Sequence, residues 1–212
     1  MGANREFAMT ETNPNPPAAD IRRLWRSDLP GFRDHLLRLD DSSRHMRFGG
    51  GVSDAFIRQY AEHCFGKGDL VYGAFADGEL RGAAELRSNE AIWSEQAPFN
   101  RHIHAEAAFS VEPGYRKRKI GEKLFRRITE AARNHGVEVI EIVCLPENQA
   151  MRRLAAKFKT EFVFDNSQLL GKLMARRPTP LSMLREAAHD VADFGEAIFD
   201  AHLRALGVGA AA

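Results

Sequence analysis

The sequence predicts an α/β chain, in the α+β sense of one mixed sheet flanked by helices, with a C-terminal helical extension. Three observations carry this expectation. Two apolar runs meet at Asp77-Gly78, the two-residue turn that a hairpin prefers. An alternating segment, His102 to Val111, passes through a basic turn into a helix-spaced stripe of Ile120, Leu124, Ile128, Ala131 and His135. From Pro180 onward, apolar residues again recur at helical spacing.

Residues 1–19 form a polar, Pro-rich tail in which Met1 to Ala8 read as a vector-derived leader and disorder is expected. Ile21 to Arg26 reads as the first strand and Leu29 to Leu39 as a helix carrying Phe32, Leu36 and Leu39 on one stripe. A loop is expected over Asp40 to Val52, and Ser53 then caps a helix running to about Phe65. Asp69 to Ala76 and Glu79 to Arg87 form the hairpin. Asn89 to Arg101, with Trp93, Pro98 and Phe99, interrupts the strand pattern and is expected to lie near one end of the central strands, shaping a pocket. Glu138 to Leu145 reads as a buried strand, Gln149 to Lys159 as a helix, and Glu161 to Phe164 with Gln168 to Met174 as a closing strand pair. The domain proper is thus expected over residues 20–176, and residues 177–212 form the extension. In that extension Leu181, Leu184, Ala188, Val191, Phe194, Ile198 and Phe199 make an apolar stripe opposite Arg185, Glu186, Asp190, Asp193 and Asp200. Such a stripe must be buried, either on its own domain, the ordinary case, or in a subunit interface that would make the protein a homodimer.

Composition narrows the function classes. A length of 212 residues suits one domain with appendages. A formal net charge of +1 argues against general nucleic-acid binding, which needs a basic face across the domain. Cys64 and Cys144 lack CxxC spacing, the histidines lack HExxH spacing, and no metal site is expected. No apolar run is long enough to span a bilayer and no signal core is visible, so no membrane association and a reducing, cytoplasmic compartment are expected.

The stretch Val111-Glu112-Pro113-Gly114-Tyr115-Arg116-Lys117-Arg118-Lys119-Ile120-Gly121 is the most informative. A strand hands over to a helix there, and free N–H groups at a helix start, with the positive end of its dipole, suit a pyrophosphate. Arg116, Lys117, Arg118 and Lys119 add charge at the same place.

This stretch resembles the pyrophosphate loop of the GNAT superfamily of N-acetyltransferases, which reads Val, a spacer, then Arg or Gln-x-x-Gly-x-Gly or Ala. Arg116 stands at the Arg/Gln position and Gly121 at the last Gly, while Lys119 replaces the middle Gly and is expected in right-handed helical geometry. A second motif, Asn-x-x-Ala-x-x-Leu-Tyr-x-Lys-x-Gly-Phe, is matched by Asn148, Leu154 and Lys157; Met151, Ala155, Lys159 and Thr160 depart from it. Ala155 stands where many relatives carry the tyrosine that protonates departing coenzyme A. Arg44 to Phe48 looks like an element of bacterial GNAT domains related to protein-lysine acetyltransferases. The resemblance implies a GNAT-like central sheet, mixed and mostly antiparallel, with acetyl-CoA as co-substrate and no metal.

It also implies attack of an acceptor amine, on a small molecule or a protein lysine, on the thioester carbonyl in a ternary complex. Orientation, an oxyanion donor and a base for the amine proton suffice. On the strand, His104, Glu106, Ala108 and Ser110 share one face. Glu106 is the leading base, weighed against an ordinary ion-paired carboxylate, and His104 is the alternate. By resemblance, the backbone N–H groups of Phe109 and Val111 bind the pantetheine arm. Asn148 either holds that arm or caps its helix. Ala155 keeps open a second function class, a low-activity GNAT-fold module that binds acyl-CoA as a sensor or partner subunit.

Overall fold

The computed structural model describes residues 19–66, 68–87 and 103–206. The expected tail before Ala19, the Asn89 to Arg101 insertion and residues 207–212 lie outside them. Seven strands form one sheet: β1 (Asp20–Leu24), β2 (Leu70–Ala76), β3 (Glu79–Arg87), β4 (Ile103–Val111), β5 (Val137–Cys144), β6 (Glu161–Asp165) and β7 (Gln168–Met174). Their order is β1-β2-β3-β4-β5-β7-β6, and every neighbouring pair is antiparallel except β4 and β5. Helix α4 (Ile120–Asn134) makes the crossover that a parallel pair requires. The mixed, mostly antiparallel sheet is therefore the expected one.

Two cores flank it. On one face, Ile120, Leu124, Phe125 and Ile128 of α4 and Ala155 of α5 (Gln149–Ala156) bury against Tyr72, Ala84, Leu86, Ala105 and Ala107. On the other, Phe32 and Leu36 of α1 (Leu29–Leu37) and Ile57 and Ala61 of α3 (Asp54–His63) cover Leu24, Val71, Leu80 and Ala83. The β2–β3 turn is built as its sequence demands, with Asp77 at φ 54° and Gly78 at φ 73°.

Several expectations are corrected. The region Asp40 to Val52 is not all loop but holds helix α2 (Asp41–Phe48). Asp40 accepts the Ser43 N–H at 2.7 Å as an N-cap, and Gly49 at φ 74° closes the helix. The first strand stops at Leu24, because a 3-10 turn over Arg26–Asp28 folds Asp28 back to pair with Arg22 at 2.9 Å. The helix from Gln149 stops at Ala156 rather than Lys159, where the backbone turns left-handed. His135 is not on the α4 stripe; it follows the helix and pairs with Glu186 at 3.1 Å.

The largest correction concerns α6 (Pro180–Ala205). Its polar side rather than its apolar stripe carries most of the docking on the domain; of the stripe, Phe194 packs edge-on to Trp25 at 5.2 Å. Asp190 pairs with Arg23, Asp193 accepts from the Arg23 backbone N–H at 2.8 Å and from Arg127 at 2.9 Å, and Asp200 pairs with Arg22 at 2.9 Å. Leu181, Leu184, Val191, Phe194, Ile198 and Phe199 remain between 48% and 75% exposed. Three arginines already committed to this surface outbid the apolar face for it, since leaving them buried without carboxylates would cost more than leaving the stripe in water. Among the described residues no helix is long and apolar enough to cross a membrane.

Candidate active site

The parallel pair that α4 makes possible is also the weak point of the sheet. β4 and β5 are paired only from Ile103↔Val137 to Glu106↔Glu141, with a shift of register between Ile103 and His104. Beyond Glu106, β4 continues to Val111 bonded to β3 alone, and β5 continues to Cys144 bonded to β7 alone. The sheet is forked, and main-chain groups on both inner edges are left without a strand partner. Glu112 N–H donates to the Arg81 carbonyl at 3.0 Å on the β3 side. Successive N–H groups of a strand alternate between its two edges, so those of Val111 and Phe109 point into the fork. The two backbone donors named from the sequence lie on this open edge.

One side of the fork is roofed by rings. Phe109 stacks on Phe125 of α4 at 5.1 Å and 6° between planes, and Phe125 stacks on Phe158 beyond α5 at 4.0 Å. This apolar stack was missed in the sequence because its members come from three separate elements. Ala155 is fully buried in the same core, so that position presents no hydroxyl.

The fork ends at the basic turn. Gly114 and Tyr115 lie in a short 3-10 turn, and Lys117 and Lys119 both take φ 62°. Lys119 is therefore left-handed, contrary to the right-handed geometry expected, because α4 begins one residue later at Ile120. The first intrahelical bond runs from Lys123 N–H to the Lys119 carbonyl at 3.0 Å, and Lys119 supplies no side-chain cap. The N–H groups of Ile120, Gly121 and Glu122 consequently have no acceptor within the helix. Lys117, Arg118 and Lys119 are exposed and, among the described residues, none lies within ion-pairing distance of a carboxylate. Free donors, a helix dipole and unpaired cations coincide, an arrangement that suits a polyanion. Gly121 has a separate reason to be small: a Cβ there would meet Leu154 Cδ2 at 3.3 Å, where α4 passes α5.

Arg116 is placed differently from its neighbours. Its Nη2 donates to Ser43 Oγ at 2.7 Å and its Nε to the Val111 carbonyl at 3.3 Å, which ties the turn to α2. Ser43 Oγ in turn donates to Asp40, whose carboxyl is held below its ordinary range first by that bond. Asn148 caps α5, accepting the Met151 N–H at 3.0 Å, and its amide donates to the Met46 carbonyl of α2 at 3.4 Å. The capping bond named from the sequence is therefore present. Both residues hold α2 against the loops that border the fork.

Beneath the turn sits a buried polar cluster. His35 of α1 donates through Nδ1 to Glu112 at 3.1 Å and accepts from Ser110 Oγ at 2.9 Å, the tautomer assigned by that network. Arg38 and Arg81 also donate to Glu112, at 2.9 and 3.0 Å. Burial pushes the Glu112 carboxyl up, but the hydrogen bonds and charges of its partners outweigh this and hold it down to about 2. Burial pushes His35 the other way, below its ordinary value, and keeps it neutral. Tyr115 bonds Asp77 at 2.8 Å and is flanked by the guanidinium groups of Arg81 and Arg118, each 4.8 Å from its ring centre. The turn is thereby anchored to the hairpin.

Glu106 stands at the mouth of the fork, exposed, opposite Arg87 on β3 and Glu141 on β5. Among the described residues its carboxylate has no hydrogen-bond or ion-pair partner. His104, two residues earlier on the same face, lies 3.2 Å from Glu141. On that face, near the mouth, Glu85 is buried with Arg47 at 2.6 Å, the Tyr60 hydroxyl at 2.6 Å and the Cys64 thiol at 3.4 Å. Phe48 packs edge-on to Tyr60, so the Arg44 to Phe48 element builds one wall of the face. Strand β3 ends at Arg87, opposite Glu106, and the Asn89 to Arg101 insertion lies outside the described residues. Among the described residues no cluster of three or more metal-ligating side chains occurs.

The comparisons agree with this geometry. The model described as "Acetyltransferase (GNAT) family" matches residues 22–159. The GNAT domain of PAT from S. lividans superposes with a TM-score of 0.61 at 20% identity, covering 74% of this chain and 90% of that one. The ribosomal-protein-alanine N-acetyltransferase from Brucella melitensis gives 0.55 at 20% identity, covering 73% and 99%. The PaiA N-acetyltransferase from Thermoplasma acidophilum, solved with coenzyme A, gives 0.54 at 20% identity, covering 74% and 99%. Among curated proteins none matches. The structural likenesses speak for the fold; the family model, which spans more than half of the chain and takes in the fork, the cationic turn and α5, establishes that this protein belongs to the acetyltransferase (GNAT) family.

Proposed function

We propose that the protein is an acetyl-CoA-dependent N-acetyltransferase that moves the acetyl group to an amine by direct attack in a ternary complex. The observation that carries this reading is the fork after Glu106, with the N–H groups of Phe109 and Val111 directed into it and the cations of the turn before α4 at its far end. The pyrophosphate of the co-substrate sits on the N–H groups of Ile120 to Glu122 with Lys117, Arg118 and Lys119 around it. The pantetheine arm runs through the fork against the stacked rings, and a β4 N–H polarises the thioester oxygen. The acceptor amine comes from the face of Glu106. An alkyl ammonium has a pKa of about 10, so it must lose a proton before attack at neutral pH, and the exposed Glu106 takes it, directly or through a water.

No phenol assists the leaving group. Tyr60 is held by Glu85, Tyr72 is buried and Tyr115 is bound to Asp77, which accounts for all three tyrosines. An alkyl thiol has a pKa of about 8.5, so coenzyme A leaves as the thiolate at modest cost. The buried Ala155 is the observation that favours a second reading, an acyl-CoA-binding sensor or partner subunit with little turnover.

Thiol release from acetyl-CoA, followed across a panel of small amines, amino acids and lysine peptides, separates the two. Turnover with any acceptor is expected, and Glu106→Gln should lower kcat by on the order of a hundred-fold while acetyl-CoA still raises the melting temperature. Stabilisation by acetyl-CoA with no turnover on the whole panel would support the sensor reading. Absence of stabilisation would remove both.

A further inference from the structure

Helix α6 is docked mainly by its polar face, and apart from the edge-on contact of Phe194 with Trp25 at 5.2 Å it leaves a continuous apolar ridge outside. Leu181, Leu184, Val191, Phe194, Ile198 and Phe199 span about 27 Å at the α-helical rise. Side chains of this size, half to three-quarters exposed, leave roughly 100 Å² of apolar surface each, about 600 Å² in all, at the top of the range that monomeric proteins tolerate. The ridge cannot turn inward. Arg22, Arg23 and Arg127 hold Asp200, Asp190 and Asp193 on the opposite side of the same helix.

We propose that this ridge is covered by the same ridge of a second copy of the chain, the two α6 helices packing antiparallel about a two-fold axis. Three features select this occupant. First, the spacing is self-complementary: residues 181, 184, 188, 191, 195 and 198 repeat at steps of three and four, the pattern of a two-helix seam. Antiparallel pairing in one register sets Leu181 against Ile198, Leu184 against Gly195 and Ala188 against Val191 of the other copy, large against small in the inner layers. Second, Gly195 lies within the helix, exposed, with nothing within 4 Å of where a Cβ would be. A helix-interior glycine costs about 1 kcal/mol relative to alanine and has no packing reason inside this chain, whereas close approach of a second helix supplies one. Third, about 600 Å² per copy nears the roughly 800 Å² that each partner of a stable complex buries, and a net charge of +1 sets up little repulsion between copies.

The test is the solution mass of the full chain by size exclusion with light scattering at tens of micromolar. Wild type should run at twice its 23.7 kDa. The double variant Val191→Asp with Ile198→Asp, at positions 75% and 51% exposed, should run as a monomer with unchanged helical circular dichroism. A monomeric wild type overturns the proposal, including the case in which it co-floats with anionic phosphatidylserine vesicles, which would assign the ridge to a lipid surface. A dimer that persists in the double variant also overturns it and moves the contact to another surface, such as the exposed Val163 and Phe164 of the edge strand β6. Should the double variant lose helical signal, Gly195→Trp alone decides: it adds bulk only on the outer face, and a mass unchanged from a dimeric wild type would sink the seam.

Discussion

Three lysines, Lys117, Lys119 and Lys159, take a left-handed backbone at φ 62°, 62° and 61°. A side chain bearing a Cβ pays roughly 1–2 kcal/mol there, and the family motifs carry glycine at the positions of Lys119 and Lys159. Lys159 closes α5: its N–H bonds the Ala156 carbonyl at 3.1 Å and the Thr160 N–H bonds that of Ala155 at 3.2 Å, the paired bonds of a Schellman motif. Lys119 differs in function, because its cation stands at the start of α4. Glycine also raises the entropy of the unfolded chain, which offsets part of the gain. Lys159→Gly should therefore stabilise by about 0.5–1 kcal/mol, or about 2 °C in Tm, without changing acetyl-CoA affinity. Lys119→Gly should give a similar Tm gain but weaken acetyl-CoA about three-fold in a calorimetric titration. Equal affinities for the two variants would mean that Lys119 lies off the phosphate path. Motif matching located both lysines; their dihedrals were not legible, because they depend on the exact residue at which each helix begins or ends. Asn148 shows the same limit. Its motif place and its capping place coincide in sequence, and the cap itself is visible only as the bond from Met151 N–H.

At the level of elements, charge rather than apolar area decides how α6 docks. Arg127 reaches Asp193 at 2.9 Å and His189 at 2.7 Å and lies over the Tyr72 ring, with its centre 5.1 Å away. Arg127→Ala would strip this clamp and leave Asp193, already pushed toward the protonated form by burial, with little more than the Arg23 N–H. The expected loss is about 2 kcal/mol, a Tm fall of about 6 °C, with hydrogen exchange rising along α6 before the sheet. If exchange in α6 stays at the wild-type level, the ion pairs do not hold the helix. The existence and order of nearly all elements were legible from periodicity and turn chemistry. Helix α2 was not, since Asp41–Phe48 has no apolar stripe, although its Asp40 cap and Gly49 stop were in plain view. The face by which α6 docks was not legible either. Hydrophobic pattern assumes an apolar surface to receive it, and the arginines that redirect α6 come from β1 and α4, 66 to 178 residues away in the chain.

For the whole molecule, the same dependence on charge sets the response to acid. Glu112 binds the end of β4 to α1 and the hairpin, so the fork and the basic turn both hang on its ionised form. Its carboxyl is pushed up by burial and pulled down further by His35 and Arg38, to about 2 against an ordinary 4.5. A depressed carboxyl favours the fold above the unfolded pKa, and that contribution is lost as pH falls from about 4.5 through 2, where the unfolded chain binds the extra proton. Glu85 and Glu186 act in the same direction: each is penalised by burial, yet Arg47 and His135 respectively bring it below its ordinary value. His35, depressed by burial, begins the loss earlier, as pH falls below 6.5. Asp69 and Asp193, raised by burial, work against it. Wild-type stability should therefore ease slightly from pH 7 to 5 and fall steeply below about 4.5. Glu112→Gln should be less stable than wild type at pH 7, because Arg38 and Arg81 lose their buried anion and keep only the more exposed Glu79, yet it should lose less between pH 7 and 3, since one proton uptake has been removed. Urea midpoints of both proteins at the two pH values test this directly. Parallel losses would show that Glu112 titrates normally in the fold and that the acid sensitivity resides in the other buried carboxylates.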